Sequence, residues 1–289
     1  MEQKRTITIL VLLIVALSAI TTLSGILSSS GPGSFQYETI RGKTVEIYGK
    51  GIYQHMSADV AIQGIAQDYV TLCIGIPLLL ISLRVYRKHS RKHHFVLAGT
   101  LGYFWVTFLF YTAMGMYNIM FLGYVALLGL SFFALLNSLF SFNMSQINQY
   151  FSNKAPTKWV GGFLIVNSIS IALLWLSIVI PPLIDGSIYP AALQHYTTLI
   201  VQGFDLGFLL PLAFVAGVFL IKRKPLGYLS GTTYIVFLSI LMTALTAKII
   251  AMAMNAVNVI PAIFIIPTFN FIAILCAYLM IKNIREDHP

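Results

Sequence analysis

The sequence predicts an all-α polytopic membrane protein of about eight transmembrane helices, with a small extracytoplasmic β-hairpin segment. Three observations carry that expectation. Of 289 residues, 58% are hydrophobic and only 9% charged, and the mean hydropathy is +0.84. A water-soluble domain carries about a quarter of its residues as charges, so most of this surface must face something other than water. The apolar residues fall into eight stretches, each near the roughly 20 residues that cross a bilayer. The basic residues, finally, sit in short clusters between those stretches.

The stretches run Thr6–Leu27, Tyr69–Leu83, Phe95–Met116, Phe121–Phe140, Trp159–Ile180, Thr198–Ile221, Tyr228–Ala253 and Ile260–Ile281. The second is short, and its helix is expected to start near Ser57, an N-cap residue type with Asp59 in the first turn. The first is expected to be retained as a helix and not cleaved as a signal peptide, because it exceeds the usual h-region and no clear small-x-small site follows. The chain thus reads as one transmembrane domain over residues 1–289.

Orientation follows from the loops. With the N-terminus inside, alternation puts Lys4-Arg5, Arg84, Arg87-Lys88, Arg91-Lys92, Lys154, Lys158, Lys222-Arg223-Lys224, Lys282 and Arg285 on the cytoplasmic side. The other side receives Arg41, Lys43 and Lys50, with Lys248 near its boundary. Such a bias in short loops sets topology, so both termini are expected in the cytoplasm. The net charge of +9 is spent on these anchors. It forms no continuous basic face, and no nucleic-acid partner is expected. Membrane lipids are the expected surroundings, with His89, His93 and His94 solvated near their headgroups. Cys73 and Cys276 read as buried core thiols.

The largest segment outside the spans covers residues 28–67. Gly31-Pro32-Gly33 ends the first helix. Thr44–Tyr48 and Ile52–Gln54, flanking Gly49-Lys50-Gly51, read as a hairpin, and its edge is a possible docking surface for a protein partner.

The chain also resembles itself. Gln67-Asp68, an apolar run with Pro77, and the basic cluster from Arg84 match Gln202-Gly203-Phe204-Asp205, a run with Pro211, and Lys222-Arg223-Lys224. Leu97-Ala98-Gly99-Thr100 with Tyr103 then matches Leu229-Ser230-Gly231-Thr232 with Tyr234. A shift of four spans keeps orientation, so the halves 1–153 and 154–289 read as possible parallel four-helix repeats. Asp68 and Asp205 each lie about 25 Å outward from their cytoplasmic anchor at 1.5 Å per helical residue. The prolines do not align in this register.

The run from Tyr196 to Gly207 with Pro211-Leu212-Ala213 and Arg223–Tyr228, and the run Gln67–Leu72 with Gly75–Leu79, resemble segments of a broad group of bacterial multi-pass inner-membrane proteins. The resemblance runs from about Tyr48 onward. It implies the bacterial cytoplasmic membrane and carries across no activity and no functional residue.

Residues that can bear chemistry are few. Carboxylates at membrane depth cost roughly 2.5–3.5 kcal/mol at a helix centre and mark ion paths or proton relays, which makes Asp68 and Asp205, with the adjacent Gln67 and Gln202, the leading candidates for binding or proton carriage. Near the interface an aspartate can also simply cap a helix. Lys248 can pair with either carboxylate or snorkel to the headgroups. His55, Asp59 and His195 offer metal-ligand types without metal-site spacing, so no metal is expected. Neither G-x-x-x-x-G-K-S/T nor a strand-linked G-x-G-x-x-G is present, and no cofactor is implied.

Three functions remain open on these residues. The first is a small-solute or ion carrier, or a subunit of one. The second is a sensor or assembly partner docking through the outer hairpin. The third is a membrane-embedded enzyme acting on a lipid-linked substrate through His55, His195 and the aspartates.

Overall fold

The structure is a computed structural model and describes residues 2–286. Eight helices are long and apolar enough to cross a membrane: α1 (Glu2–Leu27), α2 (Ala58–Tyr86), α3 (Arg91–Ala113), α4 (Phe121–Phe140), α5 (Thr157–Ile184), α6 (Ile200–Ile221), α7 (Pro225–Met254) and α8 (Ala262–Lys282). Only a fully hydrogen-bonded backbone is tolerated in hydrocarbon, and a helix supplies it from within one segment. The outward side chains are those of a lipid-facing surface: Leu12, Ile20, Leu173 and Phe271 are all exposed, and Trp159 and Tyr117 stand exposed near opposite ends of the bundle. The fold is that of an integral membrane protein crossing the bilayer eight times.

Between α1 and α2 lies an antiparallel hairpin of β1 (Phe35–Glu38) and β2 (Thr44–Ile47), with Phe35 opposite Ile47 and Glu38 opposite Thr44. The expected downstream arm is not a strand. Gly51–Tyr53 forms a short 3₁₀ turn, and β2 pairs with the strand upstream of it. Two local facts decide this. The Gly51 N–H is taken by the Ser30 carbonyl at 2.6 Å, and the Tyr53 hydroxyl is drawn down to Asp68. Ser57 does precede α2, but its hydroxyl meets Tyr196 (3.3 Å) and makes no cap bond.

Helix adjacency has a repeating form. In the first half α1 packs on α2, α2 on α3, α3 on α4, and α4 back on α1; α5 to α8 close the same ring. The two rings meet where α3 and α2 lie against α7. The centre is therefore α3, in whose most apolar window 67% of residues are buried against 17% for α8. The α3–α7 crossing is close because Gly99 has no side chain. A Cβ there would sit 2.5 Å from Val236 and 2.9 Å from the Thr233 carbonyl oxygen, the close approach that small residues permit between membrane helices.

Two helices are locally widened. A π-turn occupies Thr71–Gly75 in α2 and Asp205–Leu209 in α6. Each is closed by an i→i−5 bond, from Ile76 N–H to Thr71 and from Leu210 N–H to Asp205. Each ends two residues before a proline, Pro77 or Pro211. A proline lacks the N–H that would bond the carbonyl four residues back, and its ring crowds that carbonyl; a widened turn relieves both. Counted from the prolines, Asp205 matches Thr71, and Asp68 lies about one turn further toward the hairpin end. The sequence register that equated the two aspartates is thus displaced within the helix.

Two side chains depart from expectation at the basic end and in α2. His94 is not solvated: it is buried, stacked on Phe142 at 3.6 Å between ring centroids, with Nε2 at 3.0 Å from the Ser138 carbonyl oxygen. A step of one residue, about 100° around the helix, turns it inward while His93 stays half-buried and His89, before the helix, is exposed. Cys73 is exposed on the apolar face and only Cys276 is buried. The C-terminal segment after α8 crosses to the first half. Ile284 bridges to Phe151, and the Glu286 carboxylate accepts from Ser90 Oγ (2.6 Å) and from the Arg91 N–H (2.7 Å) at the start of α3.

Gly99→Ala is expected to lower the melting temperature in detergent, corresponding to roughly 1–3 kcal/mol of overpacking. Gly129→Ala, where a Cβ meets nothing within 4 Å, is expected to be neutral or stabilising. Equal melting temperatures for both variants would contradict the tight crossing.

Candidate functional site

Asp68 is 1% exposed, and its cost of burial is met by two phenols. The Tyr53 hydroxyl donates to Oδ2 at 2.6 Å and the Tyr111 hydroxyl to Oδ1 at 2.9 Å. Burial first, and then the Asp68 charge, hold the Tyr53 phenol well above its ordinary pKa, so it remains a donor across the physiological range. The backbone of α1 closes the pocket from behind: at Gly25 any Cβ would collide with the Asp68 carboxylate. Hydrogen bonds to a buried charge are worth about 1.5–3 kcal/mol each, and here they join α2, α3 and the hairpin segment at one point, with α1 packed behind it.

Gln67, one residue back, faces a different neighbour. Its Nε2 donates to the Tyr103 hydroxyl (2.8 Å) and to Thr107 Oγ1 (3.2 Å). Tyr103 also meets Thr71 Oγ1 at 2.8 Å. Tyr234, its sequence match in the second half, donates to the Leu209 carbonyl at 2.9 Å. Each tyrosine therefore reaches the π-turn of the preceding helix.

Between the two rings lies a cavity of about 340 Å³, the size of a small-molecule site. Every helix except α1 contributes to its wall, and Tyr53 and Met56 join from the hairpin segment. Most of the lining is apolar, from residues such as Phe110, Ile171, Leu174, Leu209, Leu238 and Leu241. Asp205 and Lys248 both line it. Trp175 Nε1 donates to Asp205 Oδ2 at 2.7 Å. The Lys248 ammonium makes no hydrogen bond among the described residues, although it lies within electrostatic reach of both Asp205 and Asp68. It faces the cavity and does not snorkel away from it.

Two buried polar atoms on this wall have no hydrogen-bond partner among the described residues: Gln67 Oε1 and Asn167 Oδ1. Buried polar atoms are normally satisfied, and an exception calls for an explanation. Gln67 is 3% and Asn167 2% exposed. Asn167 and Trp175 were not singled out as site residues in the sequence. Asn167 had a signal, being the one amide inside the α5 apolar run, a rare and costly placement. Trp175 had none beyond its type.

The sequence-derived set divides accordingly. Asp205, Lys248 and Gln67 line one cavity. Asp68 stands behind the tyrosines that wall it. Gln202 is half-buried off the lining. His55, Asp59 and His195 do not converge: His195 Nε2 donates to the His55 carbonyl (3.0 Å), and Asp59 accepts from Gln194. Among the described residues no three His, Cys, Asp or Glu side chains gather as a metal site.

Comparison of the chain with protein-family models, with curated proteins and with solved structures finds no match. The fold and the cavity define an eight-helix integral membrane protein with a mainly apolar internal chamber bearing one acid and one base.

Replacing Tyr53 by Phe is expected to destabilise the protein by about 1–3 kcal/mol, the cost of withdrawing a donor from a buried acceptor. In a double-mutant cycle with Asp68→Asn, measured by unfolding in detergent, the two changes should be non-additive by about 0.5 kcal/mol or more. Strict additivity would mean that the two side chains do not interact.

Proposed function

We propose that the protein is a carrier, or the membrane subunit of one, for a small solute or ion. The single observation that supports this most strongly is the chamber itself. It lies between two four-helix rings, holds Asp205 and Lys248, and has unpartnered polar atoms on a buried wall. A cavity that stays empty is apolar, whereas a polar group kept in a membrane interior marks a path for something polar.

The π-turns support the same reading. Both occur in the second helix of a ring, and one of them begins at Asp205. Irregular backbone beside a cavity is where carriers build their sites, and the halves on either side supply the moving bodies. In this reading residues 1–153 and 154–289 are parallel repeats related by an axis along the membrane normal, and Asp205 carries the coupling proton. Asp68 is held by two phenols, so its part is to fix the first ring and to set the field felt by Lys248.

The bacterial cytoplasmic membrane, with both termini inside, is the location consistent with the basic clusters at one end of the bundle. Reporter tags at the two ends are expected to map to the cytoplasmic face; a tag found outside at either end would reject this topology.

Carriage is testable in proteoliposomes containing a trapped pH dye, exposed to a panel of amino acids, amines, carboxylates and sugars. At least one solute is expected to drive proton movement above that of protein-free vesicles. Asp205→Asn should reduce it to background while leaving membrane insertion and melting temperature unchanged. Full activity in that variant would remove Asp205 from the role, and a panel without response would count against carriage.

A further inference from the structure

We infer that the chamber binds a zwitterion with an elongated apolar body, its acidic group on Lys248 and its ammonium on Asp205. This names the ligand class of the site on which the carrier reading also rests.

The argument begins with which polar atoms remain unsatisfied. Both oxygens of Asp68 are taken by Tyr53 and Tyr111, so that carboxylate offers nothing to a ligand. Asp205 has one oxygen on Trp175 Nε1, and its other oxygen has no partner among the described residues. Lys248 keeps all three N–H donors. A ligand must therefore supply an acceptor group to Lys248 and a donor group to Asp205. A simple amine leaves the ammonium of Lys248 unanswered, and a simple carboxylate leaves Asp205 unanswered. Each omission leaves one of the two charged groups short of a hydrogen-bond partner within the chamber, which lowers affinity.

Depth sets the shape. Asp205 lies five residues from the start of α6 and Lys248 six from the end of α7. At 1.5 Å per residue both are about 8–9 Å below the hairpin end of their helices. Asn167 lies eight residues before Trp175, whose indole bonds Asp205, so it is about 12 Å further down. The charged belt is thus followed by roughly 12 Å of mainly apolar wall, formed by Leu174, Ile171, Leu209 and Leu238 with the Gln67 amide beside them, before the amide of Asn167. A hydrophilic zwitterion would leave that wall facing polar atoms; an apolar chain covers it, at about 0.8 kcal/mol per methylene removed from water.

Binding without any gradient separates this inference from carriage. Purified protein in lipid nanodiscs is titrated with 2-aminodecanoic acid, decylamine and decanoate, read by tryptophan fluorescence and corrected with empty nanodiscs. The amino acid is expected to bind at least roughly tenfold more tightly than either single-charge analogue, the loss expected for one unmatched charge. Lys248→Gln should abolish the preference over decylamine alone, and Asp205→Asn the preference over decanoate alone. Equal affinity for the three ligands in the wild-type protein overturns the inference whatever the variants do. So does a wild-type preference that both variants keep. Zwitterion binding without uptake would leave the ligand assignment standing and defeat the carrier reading; uptake of other solutes without zwitterion binding would do the reverse.

Discussion

A carboxylate held in a nonpolar interior must be given hydrogen-bond donors, and the way Asp68 obtains its two organises the hairpin end of the molecule. Tyr111 comes from the last turn of α3, Tyr53 from a 3₁₀ turn outside the membrane, and Gly25 of α1 lets the backbone pass close behind. No one of these elements would hold its position by apolar packing alone, because lipid tails solvate leucine as well as another helix does. The buried charge converts a weakly specified bundle end into one arrangement. It also explains why the 3₁₀ turn prevails over a strand at Gly51–Tyr53: a strand would carry the Tyr53 hydroxyl away from its acceptor.

With that end fixed, the two rings can differ. In the first, Gln67 and Thr71 of α2 are tied inward to Tyr103 and Thr107 of α3. In the second, α6 meets α3 through aromatic pairs, Phe204 with Phe110 and Phe208 with Trp105, and its aspartate is left facing the chamber. Similar adjacency thus supports a closed polar core on one side and an accessible acid on the other. The displacement of about one turn between Asp68 and Asp205, measured from the prolines, is the local change that makes the difference.

Hydropathy alone was enough to read the spans, because length and apolar content are what a bilayer tests. The hairpin as an element was legible, but its pairing was not. Phe35–Glu38 and Ile52–Gln54 are both acceptable partners for Thr44–Ile47 by residue type, and the choice lies in contacts with Ser30 and Asp68 that are remote in sequence. Asp205 and Lys248 announced themselves by charge in an apolar run. Asn167 carried a quieter version of the same signal. Tyr53 carried none, since a tyrosine in a loop is ordinary until its hydroxyl is known to be enclosed. His94 misled for the opposite reason: its basic neighbours suggested water, while its phase on the helix put it against Phe142.

The strand-like tie at the basic end has a bearing on cooperativity between the halves. The α3 helix, central to the whole assembly, begins with N–H groups answered by Glu286, a residue that follows α8 in the chain. Ser90 caps that helix locally through the His93 N–H, and the next bonds come from the other half of the molecule. Fraying of the segment after α8 and loosening of the amino end of α3 are thereby made the same event, and the two halves are laced together at the basic end as well as at the α3–α7 crossing.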